Sequence, residues 1–136
     1  MADFVYDKAL EDIGAALINL VTDTIKVVAA KSTYSAVKTA TNPTLNDIAS
    51  GDRVVIGTLA NKTEVGGVFS ADPTTLPATP NGVAASQLIV YKDTGSPTTS
   101  RLILHIDSAT GLPFTGNGLD ATINWPTSDP NKIFKI

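Results

Sequence analysis

Apolar residues recur at Tyr6, Leu10, Ile13, Leu17, Leu20 and Val21, three or four apart, with Asp7, Lys8, Glu11, Asp12 and Asn19 on the other side. This spacing predicts an amphipathic helix over about residues 4–21 with one buried face. Gly14, in its middle, costs about 1 kcal/mol relative to alanine. The period changes after Thr22-Asp23. The stretch Thr24-Ile25-Lys26-Val27-Val28-Ala29-Ala30 is short and rich in β-branched residues, so it reads as a strand.

Residues 31–52 hold Ser32, Ser35, Thr39, Thr41, Asn42, Pro43, Asn46, Asp47, Ser50 and Gly51, which predicts a long irregular connection with a helical turn at Thr44 to Ile48. Connections of this length are uncommon inside compact domains and tend to be functional. Reaching a neighbouring molecule is the natural use for this one. Arg53 to Leu59 reads as a strand, and Glu64 to Ser70 as an extended segment whose Gly66-Gly67 pair points to a bulge or a close backbone approach. Asp72-Pro73, Pro77 and Pro80 mark a loop with short extended pieces, and Asn81-Gly82, Thr110-Gly111 and Gly116-Asn117-Gly118 mark turns.

The clearest hairpin joins Gln87–Lys92 to Arg101–Asp107 through the loop 93–100. Its second arm places Leu102, Leu104 and Ile106 on one face and Arg101, Ile103, His105 and Asp107 on the other. Leu119 to Trp125 alternates most cleanly, until Pro126 ends it. Leu102, Leu104, Ile106, Leu119, Ala121, Ile123 and Trp125 are therefore expected to face inward. The chain closes on a strand over Lys132 to Ile136, whose Ile133, Phe134 and Ile136 require pairing, in its own sheet or against another chain. The whole reads as one domain over residues 1–136. It is expected to be mainly β, an antiparallel sandwich or barrel-like fold with one N-terminal amphipathic helix and a β-rich remainder after the 31–52 connection.

Composition supports that class and narrows the chemistry. Of 13 acidic residues 11 are aspartate, and threonine occurs 18 times, which favours turns and strands over long helices. The absence of cysteine excludes disulfides, thiolate nucleophiles and cysteine-ligated metals. One histidine, His105, excludes a two-histidine metal site within a chain. The net charge is −3 and the ten basic residues are dispersed, so no nucleic-acid footprint is expected. No apolar run approaches the roughly 20 residues of a membrane span. The acids of the first twelve residues argue against an export signal, so Asn61-Lys62-Thr63 reads as a chance glycosylation sequon.

Three constellations bear on catalysis or metal binding. Asp93-Thr94-Gly95 matches the aspartic-protease tripeptide, in which two aspartates share a proton and activate water. It lacks the second apolar-apolar-glycine element, and Asp-x-Gly between strands is also ordinary hairpin chemistry. His105 and Asp107 could be drawn into a triad with a serine, yet no Gly-x-Ser-x-Gly elbow exists, and a histidine at this strand position is expected at a surface or interface. Asp107, Asp120 and Asp129 could offer oxygens to calcium, but their spacing matches no EF-hand loop. Gly66-Gly67 and Gly116-x-Gly118 are not phosphate loops. No catalytic residue, cofactor site or metal site is assigned, and no enzymatic activity is expected.

Tyr6-Asp7-Lys8, Asp23-Thr24-Ile25-Lys26-Val27, Leu45-Asn46-Asp47-Ile48, Asn61-Lys62-Thr63 ahead of Gly67-Val68, Ile89 to Gly95, Leu112-Pro113, Asn124-Trp125 and the closing Asn131 to Ile136 carry a likeness that runs in order through nearly the whole chain. With these stretches the chain resembles small virion structural proteins of tailed bacteriophages. It departs from them mainly at 31–44 and 76–83. The resemblance implies a capsid decoration or cement protein that binds the assembled head. Its partners would be the major capsid protein and neighbouring copies of itself in a homo-oligomer, with no nucleic acid and no membrane. It would be made in the host cytoplasm and placed on the virion surface. The resemblance carries over no contacts in those divergent stretches; because the strand faces are needed for the core, the contacts are expected from the 31–52 connection, with Tyr34 as its large anchor, Lys31 and Lys38 as cations and Arg53 at its edge. The alternative is a tail or head-fibre component touching host carbohydrate, which would need exposed aromatics from among Tyr34, Tyr91 and Trp125.

Overall fold

The run Ile25–Ala30 carries apolar residues on both sides of the strand, the pattern of a strand covered on both faces, and it lies at the interior of the main sheet. The computed structural model describes residues 3–107, 111–125 and 134–135. In chain order the elements are β1 (Phe4–Val5), α1 (Asp7–Gly14), β2 (Ile25–Ala30), β3 (Arg53–Thr58), β4 (Thr63–Val65), β5 (Val68–Ser70), β6 (Thr74–Leu76), β7 (Ala84–Ala85), β8 (Gln87–Lys92), β9 (Leu102–Ile106), β10 (Phe114–Thr115), β11 (Ala121–Ile123) and β12 (Phe134–Lys135). Single 3-10 turns occupy Leu45–Asp47 and Ser50–Asp52. The fold is mainly β with one N-terminal helix, as the pattern predicts.

Five strands form an antiparallel sheet in the order β1-β9-β8-β2-β3. Smaller antiparallel sheets pair β12-β5-β4, β11-β6 and β10-β7. Residues opposite one another on paired strands share a face. Val27, Val90 and Leu104 are aligned with Gly57 on one face; Val28, Ile89, Ile56, Phe4 and His105 are aligned on the other. The first face packs on β6: a Cβ added at Gly57 would lie 2.6 Å from the Thr75 carbonyl oxygen. Two sheet layers meet there as a small sandwich. The opposite face is covered by residues 31–37, through contacts described below.

The helix is shorter than the expected 4–21. Phe4 and Val5 are extended because they pair with His105 and Leu104 of β9. At the far end Leu17 N–H donates to Asp12 C=O and Ala16 N–H to Ile13 C=O, a Schellman closure around Ala15. That closure needs a left-handed residue, and Ala16 supplies it with φ 63°. Asn19 then caps the next turn through Oδ1, which accepts from the Val21 and Thr22 amides. Leu17 (60% exposed), Leu10 and Val21 consequently leave the core stripe to which their spacing assigns them, while Tyr6, Ala9, Ile18 and Leu20 are buried.

Other expectations need smaller corrections. Gly66 and Gly67, at φ 60° and 81°, form the two-residue turn between β4 and β5 rather than a bulge. A bulge lies in β9, where Val90 faces Leu104 and Tyr91 faces Leu102, so Ile103 is the extra residue and alternation breaks there, and a like shift in β3 leaves Val54 extra between the partners of Ala29 and Ala30. Leu102 through Ile106 are all buried, because the sheet is covered on both faces. Leu119 is 66% exposed in the turn after Gly118 (φ 82°), and Ala121 and Ile123 are half-buried. Trp125 is buried, its indole donating to Thr74 Oγ1 at 2.9 Å. Strand β12 pairs within its own chain, Phe134 opposite Phe69 and Lys135 opposite Val68. Thr110, Pro126, Asp129, Lys132, Ile133 and Ile136 lie outside the described residues.

Candidate partner-contact surface

The 31–52 connection is tied down along its length by hydrogen bonds to the sheet, the helix and the 93–100 loop. Lys31 is half-buried; its amide donates to Asp52 C=O at 2.9 Å and its carbonyl accepts from Gln87 Nε2 at 2.7 Å. The Lys31 ammonium has no ion pair among the described residues. Tyr34 is half-buried, its carbonyl accepts from Gln87 Nε2 at 2.9 Å, and its phenol meets the Tyr6 phenol at 2.7 Å. Burial, with the neighbouring phenol contributing, pushes Tyr6 well above the ordinary tyrosine range; burial also raises Tyr34, so both stay neutral at physiological pH. Lys38 is exposed and pairs with Asp7 at the start of α1.

Arg53 folds back onto its own chain, Nε donating to Ile48 C=O at 2.8 Å and Nη2 to Leu45 C=O at 3.0 Å. Arg101 makes the matching tie from β9: Nε to Asp12 Oδ2 at 2.8 Å and Nη1 to Asn42 Oδ1 at 2.9 Å. Thr44 and Asp47 cap the 3-10 turn reciprocally, and the Leu45 and Asn46 amides donate to Ser100 and Pro97 carbonyls. Of the four residues singled out from sequence, Lys31, Tyr34 and Lys38 lie along the connection and Arg53 opens β3 at its end. Tyr34 and Arg53 spend their polar atoms inside the chain, Lys38 spends its charge on Asp7, and of the four only the Lys31 ammonium is uncommitted among the described residues. What the connection turns outward is Ser32, Thr33, Ser35, Val37, Thr39 and Thr41, with Val37 54% exposed.

A second surface escapes the sequence pattern. A shallow depression of about 300 Å³ lies between the end of α1 (Ile13, Ala16), residues 18–21 and Glu64 of β4. Next to these lining residues in sequence stand the exposed Leu17 and Val65, the latter 71% exposed beside the Gly66-Gly67 turn. The helical spacing hides this surface by assigning Leu17 and Val21 to the core; the signal for it is a valine at the tip of a two-glycine hairpin.

Asp93, Asp120 and His105, three of the catalytic and metal candidates, have structural partners. Asp93 Oδ2 pairs with Lys26 at 3.0 Å and Oδ1 accepts from the Gly95 amide at 3.1 Å. Burial acts to raise its pKa, but the Lys26 hydrogen bond, the Gly95 amide and the Lys26 charge outweigh it and bring the carboxyl below the usual range. Asp120 Oδ1 accepts from the Ala78 amide at 2.8 Å, and among the described residues no group of three His, Asp or Glu side chains is placed to hold a metal. Contrary to the surface position expected of it, His105 is 2% exposed, and its Nε2 meets Gln87 Oε1 at 2.6 Å rather than a serine. Tyr91 is also buried, its phenol pushed up to about 12, chiefly by burial. No helix among the described residues is long and apolar enough to cross a membrane. No protein-family model matches the chain, and no curated protein matches it.

Proposed function

We propose that the protein is a phage virion structural protein that binds the outside of an assembled head, as a homo-oligomer, and stabilises it without catalysing a reaction. The observation that carries this reading is the 31–52 connection. It is a long segment with little regular structure, yet Gln87 and Arg53 and the Leu102 amide hold its backbone carbonyls in place. Backbone fixed in this way loses little entropy when it docks, so small polar residues such as Ser35 and Thr39 and the apolar Val37 can give useful contact. Lys31 offers the uncommitted cation for an acidic capsid partner. The resemblance to small phage virion proteins outside 31–44 and 76–83 supports a virion role, and carries over no contact in the connection itself.

Symmetry multiplies one weak contact over many capsid positions, and a ligand that binds only the intact shell raises the shell's resistance to heat by mass action. The tail or host-carbohydrate reading finds less support, since Tyr91 and Trp125 are buried and Tyr34 is half-buried against Tyr6. Heads assembled with and without the protein provide the test. Heads lacking it should form normally and release their contents at a lower temperature, and restoring the protein with Val37→Asp and Lys31→Glu should fail to correct this. Heads equally robust without it, or labelling confined to the tail, would overturn the reading.

A further inference from the structure

Gln87 reads out the protonation state of the one histidine. Its Nε2 donates to two backbone carbonyls, Lys31 at 2.7 Å and Tyr34 at 2.9 Å, so its amide cannot be turned round without setting oxygen against oxygen. Its Oε1, an acceptor only, therefore faces His105 Nε2 at 2.6 Å, and Nε2 must carry the proton. Nδ1 is left as a bare, buried acceptor with no hydrogen-bond partner among the described residues, and two residues along the strand Asp107 Oδ1 is in the same condition.

We propose that His105 is a proton-operated latch on the connection that covers it, residues 31–38, and on the edge strand β1 beside it. With the ring neutral, the chain of bonds from His105 through Gln87 to Lys31 and Tyr34 is complete and the connection lies against the sheet. Uptake of one proton from solvent at Nδ1 leaves the Nε2–H bond in place and turns the buried ring into a cation. Hydrating that charge requires displacing what shields the ring, the Phe4 side chain stacked on it from the edge strand at 4.9 Å and the connection above, where Tyr34 meets Tyr6. The charged groups acting on the ring are Asp107 on its own strand and Asp3 ahead of β1, whose Oδ1 accepts from the Asp107 amide at 2.9 Å. From β8 the ring meets the neutral Gln87, and from the connection two carbonyls reach that same amide.

Burial holds the imidazole below its ordinary value of 6.5, and the Asp107 and Asp3 carboxylates offset this only in part. The folded chain therefore prefers the neutral ring. The stability this contributes is complete above about pH 6.5 and is lost as pH falls from there through the depressed folded value.

Because the chain has one histidine, every imidazole nitrogen signal belongs to His105. Nitrogen NMR of the full chain at about pH 7.5 should show the proton on Nε2 alone. On acidification to about pH 5, amide exchange corrected for intrinsic rate should quicken about tenfold more at Tyr6, Asp7 and Tyr34 than in β2 and β8, with the midpoint of the imidazole titration. His105→Gln should abolish that difference. A proton found on Nδ1 at neutral pH, exchange that changes equally in both regions, or midpoints that do not coincide would overturn the proposal, and these readouts of the unaltered chain decide it even if the variant fails to fold. Persistence of the acid effect in a folded His105→Gln chain would overturn it as well. The proposal holds independently of the virion role.

Discussion

On one face of the five-stranded sheet, Val27, Val90 and Leu104 share the side that Gly57 presents to β6, where Trp125 closes over Thr74. On the other face, Val28, Ile89 and His105 lie beneath a connection whose backbone is held by Gln87. The first face is closed by apolar area and close approach; the second has a row of specific polar ties laid over its apolar residues. Apolar contact is non-directional and tolerates small adjustments, whereas a buried polar network is stable only when every member is satisfied. The sandwich face is therefore expected to set how stable the fold is. The tied face is expected to set where the 31–52 connection lies, and with it the shape offered to a partner.

The comparison is broken most directly by removing the largest side chain of the sandwich face. Trp125→Ala should cost about 3–5 kcal/mol in urea unfolding, since the ring is only 6% exposed and leaves both a cavity and an unpaired Thr74 hydroxyl. A loss below about 1 kcal/mol would mean that the ring contributes little to the core, and would revive the carbohydrate-binding alternative. Gln87→Leu attacks the tied face at similar volume. It leaves His105 Nε2 and the Lys31 and Tyr34 carbonyls without their partner, at about 1–3 kcal/mol for the buried groups that water cannot reach. Its distinctive sign is local: amide exchange should quicken at Tyr34 and Asp7 while the sandwich-face strands keep their protection. Uniform loss of protection would show that the two faces are not separable.

Ala16 lies off both faces and is expected to move global stability in the opposite direction. Its φ of 63° costs an L-residue about 1–2 kcal/mol, and glycine at the same place gives back part of the gain through the freedom of its unfolded chain. Ala16→Gly should therefore raise the unfolding midpoint by the equivalent of about 0.5–1 kcal/mol with exchange on the tied face unchanged. A destabilised variant would show that the helix does not end in this closure.

Elements whose cause is local were legible in the sequence. The β-branched run at Ile25–Ala30, the Gln87–Lys92 hairpin arm and the 3-10 turn at Leu45–Asp47 fall where composition places them. The helix was legible only in its first half, because Gly14 is two residues short of the position where a left-handed residue is needed, and alanine there carries no signal. Leu119 failed because alternation cannot tell a strand from the turn that precedes it. The bulge at Ile103 has no glycine to mark it. The tied face was invisible for a different reason. Lys31 and Tyr34 lie more than fifty residues before Gln87, His105 lies eighteen after it, and the four match no motif, so only the register of β8 against β9 and the path of the connection bring them together. Two of the four contact residues, Lys31 and Tyr34, do belong to that network, although through their carbonyls and not through the side chains for which they were singled out.

Asp93 supplies the smallest effect and the control for both faces, since it stands just beyond β8 in the hairpin loop. Its pair with Lys26 is partly exposed, and exposed pairs of this kind contribute about 0.2–1 kcal/mol. Asp93→Asn removes the charge but keeps an oxygen that can accept from the Gly95 amide. Because the folded carboxyl is held below its ordinary value of 3.8, its contribution is present above about that pH and disappears as pH falls through the folded value. The variant should thus be slightly less stable than the parent at neutral pH and indistinguishable from it in strong acid. Exchange at Tyr34 and at Val28 and Ala30 of β2 should be unaltered, because the carboxylate reaches β2 only at its start, through the Lys26 side chain. Decorated heads carrying the variant should also survive heating as the parent heads do. A peptide-hydrolysing activity abolished by this one substitution would instead make the loop an active site, and the reading of the chain as a non-catalytic virion protein would fall with it.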